Sequence, residues 1–63
     1  MREQLINFQK QNKKIKIGLR NGYSYTGRII SITDDILTFR DKFGLVIGIL
    51  ISDVISFGEV RND

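Results

Sequence analysis

The chain has 63 residues, a formal net charge of +3, and no Cys, His, Pro or Trp. Below about 70–80 residues a lone core rarely supplies more than ~3–5 kcal/mol, and the composition excludes disulfides and the usual zinc ligands, which leaves self-association as the remaining staple. The longest apolar run, Leu45 to Ile51 with Gly48 inside it, is far short of the roughly 20 residues of a membrane-spanning helix, and no apolar leader core precedes a small-residue cleavage site; the expectation is a single domain, 1–63, of a reducing cytoplasm, with no membrane partner.

The charge is polarised along the chain. Lys10, Lys13, Lys14, Lys16, Arg20 and Arg28 fall in the first half, and Asp34, Asp35, Asp41, Asp53 and Glu59 in the second. Residues 2–11 lack Gly and Pro and carry Leu5, Ile6 and Phe8 among polar residues, which predicts a short amphipathic helix with one narrow apolar stripe. So short a helix is unstable alone in water, so it must lie on the rest of the fold.

From Lys14 the period changes to two. Ile15, Ile17 and Leu19 take one face while Lys14, Lys16 and Arg20 take the other, the pattern of a half-buried strand over about 14–20. Asn21-Gly22 signals a hairpin, and a three-residue loop with Gly22 in the left-handed region is expected to set Leu19 against Tyr25. The next strand, about 23–32, contains Gly27, which marks a bulge or a sharp bend, followed by Ile29, Ile30 and Ile32 with apolar groups on both faces. Thr33-Asp34-Asp35 reads as a turn, 36–40 as a third strand with Leu37 and Phe39 inward, and Asp41-Lys42-Phe43-Gly44 as the next turn. Strands over 45–51 and 54–60 complete the series. One helix and five short strands predict a mainly β fold, a strongly bent, closed antiparallel SH3-like barrel.

The fourth strand does not alternate. Leu45, Val46, Ile47, Ile49, Leu50 and Ile51 are apolar at both parities, and an uncovered strand of this kind is an aggregation hazard. Either the N-terminal helix covers its outer face or a neighbouring subunit does. The missing staple favours the subunit, with Val46, Ile47, Ile49, Leu50 and Ile51 as the contact residues.

Catalysis is excluded by elimination. Without His or Cys, and with no glycine-rich phosphate loop, no nucleophile and base can be nominated together. The aspartates read as turn residues rather than metal ligands, and no cofactor or small-molecule substrate is expected. Nucleic-acid binding needs cations for phosphates and flat side chains for bases. Lys14, Lys16 and Arg20 form a basic line on the first strand, Lys10 and Lys13 adjoin it, and Tyr23 and Phe43 sit at turns where they are free to stack.

The run Leu19-Arg20-Asn21-Gly22-Tyr23-Ser24-Tyr25-Thr26-Gly27, after Ile15 and Ile17 and a short helix, resembles the first motif of the Sm-like (LSm) superfamily, and within it the bacterial and archaeal Hfq branch. The resemblance implies a bent five-stranded barrel, a hexameric or heptameric ring closed by the fourth strand of one subunit against the fifth of the next, which adds Val54, Ile55 and Phe57 to the subunit contact, and binding of single-stranded RNA in RNA regulation, processing or turnover. It also implies that Asp34, Asp35, Ser52 and Asp53 occupy the pore-facing loops. There the family carries a Gln-Phe pair and a cationic second motif; this chain has two aspartates in one loop and Ile51-Ser52-Asp53, without a cation, in the other. Gly18 stands where the Hfq branch has an aromatic on the opposite face. RNA contact is therefore expected at Lys10, Lys13, Lys14, Lys16, Arg20 and Tyr23 rather than at the pore. Two other readings fit the same residues: a ring-forming interaction module without the uridine pocket, and a small SH3-like barrel that binds duplex DNA through Lys14, Lys16 and Arg20.

Overall fold

The protein is described by a computed structural model over residues 1–60. Helix α1 (Arg2–Lys10) precedes strands β1 (Ile15–Leu19), β2 (Ser24–Thr33), β3 (Ile36–Asp41), β4 (Val46–Leu50) and β5 (Val54–Glu59), with a single 3-10 turn, Ile51–Asp53, between the last two. The strands form one antiparallel sheet in the order β4-β3-β2-β1-β5. The expected helix and five bent strands are present, but hydrogen bonding does not close the sheet: among the described residues β4 pairs only with β3 and β5 only with β1.

Period-two burial builds the core. Ile15, Ile17 and Leu19 of β1 meet Ile29, Leu37, Phe39, Ile49 and Val54. Leu5, fully buried, is the residue through which α1 joins them. Phe8 packs edge-on against Phe57, with ring centroids 6.1 Å apart. Two polar contacts hold the helix over β2 and its following turn: Gln9 Nε2 donates to the Ile30 carbonyl at 3.0 Å and an Arg2 guanidinium NH to the Asp34 carbonyl at 2.6 Å. The helix therefore does not cover β4, where Val46 and Leu50 stay 54% and 46% exposed.

The helix stops at Asn12, the first residue in the left-handed region (φ 52°). Asn12 N–H donates to the Gln9 carbonyl and Lys13 N–H to the Phe8 carbonyl, a pair of bonds that satisfies the last free carbonyls of the helix. The chain turns there and enters β1.

The hairpin loop is three residues long, Arg20 to Gly22, with Gly22 at φ 93° as expected. Its register differs from the expected one. Leu19 N–H donates to the Tyr23 carbonyl, and Tyr25 lies opposite Ile17 rather than Leu19. A loop of three residues brings together positions four apart, so the two expectations, loop length and Leu19–Tyr25 pairing, were incompatible. In β2 the bulge falls at Ile30, between the pairs Ile29–Phe39 and Ser31–Thr38. The extra residue shifts the inward parity, and this is why Ile29 and Ile32 both face the core although they are three apart. Gly27 serves a different end: a Cβ there would stand 2.0 Å from the Arg40 carbonyl oxygen, so only glycine lets β3 cross this close.

Candidate nucleic-acid interface

The close crossing at Gly27 lies in a cleft of about 750 Å³ whose lining includes Gln9, Asn12, Lys14, Arg28, Arg40, Asp41 and Lys42. Four cations thus converge from separate segments: the exit of α1, the bend of β2, the end of β3 and the turn after it. Arg28 and Arg40 are directly opposite each other in the β2–β3 ladder. Like charges in facing positions destabilise a sheet, so this pair stands where the local rule of sheet pairing is broken. Arg28 Nε donates to the Asn12 carbonyl at 3.2 Å, which ties the guanidinium to the helix exit. The one carboxylate in the lining, Asp41, is turned to its own loop, where Oδ1 accepts from the N–H groups of Phe43 and Leu45, each at 2.9 Å. The two ion pairs among the described residues, Lys13–Glu59 and Arg20–Asp53, both 3.6 Å, leave these four cations untouched.

The basic line expected along β1 does not hold together as one surface. Lys14 joins the cleft. Lys16 lies in a separate depression beside Ser24, Ser56 and Glu59, and Lys13 bonds to Glu59. Lys10 closes α1 in solvent. Arg20 is engaged at the 3-10 turn, where NH2 donates to the Ser52 carbonyl at 3.1 Å and Nε faces Asp53. Tyr23 is 67% exposed in the hairpin. Gly18, where an aromatic was expected by family position to be missing, would bring any Cβ to 2.5 Å from Ser56 Oγ.

Arg28, Arg40 and Lys42 were absent from the expected contact set. Their signal in the sequence was Gly27: a glycine inside a strand marks a backbone approach, and the approaching strand here carries Arg40. Nothing in the sequence said which residue would approach.

At the other end of the molecule the β2–β3 turn and the 3-10 turn meet, with Ile51 N–H donating to the Asp35 carbonyl at 2.9 Å. Asp34, in the left-handed region (φ 53°), and Asp35 are both exposed, as is Ser52. The 3-10 turn has no cation of its own, but the hairpin supplies Arg20, so Asp53 does not add an unopposed negative charge.

Of the residues expected at a subunit contact, Ile49 and Val54 are only 4% and 6% exposed and belong to the core; their side chains are closed to a partner. Ile47, Ile51 and Phe57 are half-buried against that core, while Val46, Leu50 and Ile55 are exposed. Ladder parity places free backbone groups beside them. The bonds Asp41 N–H to Leu45 carbonyl and Ile51 N–H to Asp35 carbonyl put odd-numbered residues of β4 in the bonded pairs with β3, so Val46, Gly48 and Leu50 turn their N–H and carbonyl groups to the open edge. The bond from Val60 N–H to the Lys14 carbonyl likewise leaves Phe57 and Glu59 of β5 facing outward.

No helix among the described residues is long and apolar enough to cross a membrane. No family model matches the chain, and no curated protein matches it. Solved structures do. A crystal structure of the pleiotropic translational regulator Hfq superposes with a TM-score of 0.80 at 17% identity, covering 94% of this chain and 95% of that one. An Hfq protein from Anabaena sp. gives a TM-score of 0.77 at 22% identity, covering 92% of each chain. The helix, the strand sequence and the bent sheet of this chain are thus the Sm-like fold of the Hfq structures.

Proposed function

We propose that the protein is a ring-forming Sm-like subunit that binds single-stranded RNA on its cationic flank, as a non-enzymatic factor in RNA regulation, processing or turnover. The observation that carries this reading is the facing pair Arg28 and Arg40, set between Lys14 and Lys42 in one cleft. A sheet that holds two arginines opposite each other, with no carboxylate bridging them, is relieved by an anion, and guanidinium groups match phosphate oxygens in bidentate geometry. Polyanion binding at such a site is dominated by phosphate contacts.

Assembly is supported by the two open edges. β4 and β5 each leave an outward row of backbone groups beside exposed Val46, Leu50 and Ile55, and a head-to-tail contact between unlike edges propagates until the ring closes. It would also hide the apolar edge that otherwise invites aggregation. In this reading the Asp34–Asp35 end faces away from the bound strand.

Light scattering at micromolar concentration combined with titrations of oligo(U), oligo(A) and a DNA duplex tests both parts. The expected result is the mass of six or seven protomers and salt-sensitive binding that favours single strands. A persistent monomer overturns the ring. An intact assembly that ignores both oligonucleotides at low salt makes the protein an interaction module, and tighter binding to duplex makes it a DNA-binding barrel.

A further inference from the structure

We infer that Phe43, at the tip of the β3–β4 turn, is a base-stacking platform for the nucleotide next to the phosphate held by Arg28 and Arg40; the inference rests on the RNA-binding reading above and adds an uncharged contact beside its cleft.

Phe43 is 79% exposed, more than any other large apolar side chain described. It contributes little to the core, yet its backbone is held in place. Asp41 Oδ1 accepts from its N–H at 2.9 Å, Gly44 N–H closes the turn onto the Asp41 carbonyl at 3.0 Å, and Gly44 takes the left-handed conformation (φ 86°) that the turn needs. Lys42 N–H donates to the Thr26 carbonyl at 2.8 Å, anchoring the turn to β2 beside Gly27. An aromatic ring on a fixed turn loses little freedom when it binds.

Its neighbours define what it would bind. Lys42 and Gly44, on either side of it in sequence, both line the cationic cleft, and the Lys42 ammonium lies 5.3 Å from the ring centroid. A flat apolar face beside a cluster of unpaired cations fits a ligand that is both planar and anionic. A single-stranded nucleotide is such a ligand, its phosphate on the cations and its base on the ring. Because every base has a π-face, stacking of this kind adds affinity with little sequence preference. A protein partner would have to bring acidic and aromatic groups together; a second copy of this chain would bring its own cations.

Fluorescence anisotropy with oligo(A), oligo(U) and an abasic oligomer of equal length, at several salt concentrations, tests it. Phe43→Ala is expected to weaken binding of the base-bearing oligomers about tenfold, with the salt slope unchanged, and to leave the abasic oligomer unaffected. Phe43→Tyr should stay within about twofold of the parent and Phe43→Leu, apolar but not flat, should fall with the alanine variant. Undiminished binding by Phe43→Ala overturns the inference alone, as does an equal loss on the abasic oligomer or a fall in assembly mass, which would make Phe43 a subunit contact. Absence of binding by the unsubstituted protein overturns the RNA-binding reading, and this inference with it.

Discussion

The two charged regions of the molecule are built in opposite ways. Around Gly27 four cations are gathered from distant segments and none is neutralised by a carboxylate within ion-pair distance. Around the 3-10 turn Arg20 answers Asp53, while the Asp34 and Asp35 side chains stay exposed and only their backbone carbonyls are used, to join Arg2 and Ile51. The unpaired aspartates of the second region sit side by side in an exposed turn, whereas in the first sheet pairing holds Arg28 directly opposite Arg40, where facing like charges cost stability. What separates the two regions is how the backbone holds like charges together, rather than the amount of charge.

The comparison breaks most completely at Gly27. Gly27→Ala would force a Cβ to within 2.0 Å of the Arg40 carbonyl oxygen and 2.7 Å of the Asp41 Cα, both backbone atoms that cannot step aside. A loss of about 3 kcal/mol or more is expected in urea denaturation, and with it the cleft, since β3 has to move away from β2. The acidic end is remote from this crossing and should keep its Arg20–Asp53 contact in whatever fraction stays folded.

The cationic side can be removed without unfolding. Replacing Arg28, Arg40 and Lys42 together by Ala should lower single-strand affinity about 100-fold and reduce the salt slope by about 2, from about 0.7 for each lost phosphate contact. The facing arginines no longer repel in this variant, so thermal stability should hold or rise. A lower melting temperature with unchanged binding would instead give the arginines a structural role.

A smaller effect is expected from the acidic end. Asp34→Asn with Asp35→Asn removes two exposed negative charges per chain and should raise affinity at low salt by no more than about fivefold, an advantage that disappears as the Debye length shortens. An increase that persists at high salt would mean that the strand touches this end directly. Smallest of all is Arg20→Ala. The ion pair it breaks is well exposed, with side-chain accessibilities of 68% and 42%, and such pairs contribute about 0.5 kcal/mol. The melting temperature should fall by a few degrees at most, with single-strand binding nearly unchanged; a large loss of binding would return Arg20 to the contact surface.

Much of the fold was legible in the chain because its signals are local. Alternation from Ile15 to Leu19 reports one buried face, Asn21-Gly22 reports a turn that needs a left-handed residue, and the non-alternating fourth strand reports a sheet edge with exposed apolar side chains. The errors came where a local signal has two physical sources. Apolar residues on both faces of β2 were a bulge that resets parity at Ile30. Of the two readings of the glycine before it, a bulge or a sharp bend, the bulge lies at Ile30 instead and Gly27 stands at the close crossing of β3. Ile49 and Val54 were grouped with exposed neighbours at an edge, although each faces inward.

The sequence by itself determined the class of fold, the order of its elements and the surplus of cations, since propensity, period and composition act over a few residues. Which cations meet was decided only by the tertiary structure. Lys14 and Lys16 are two residues apart and part company, whereas Arg28 and Arg40 are twelve apart and face each other. The register of β2 against β3 sets that pairing, and register depends on where Gly27 lets two backbones touch.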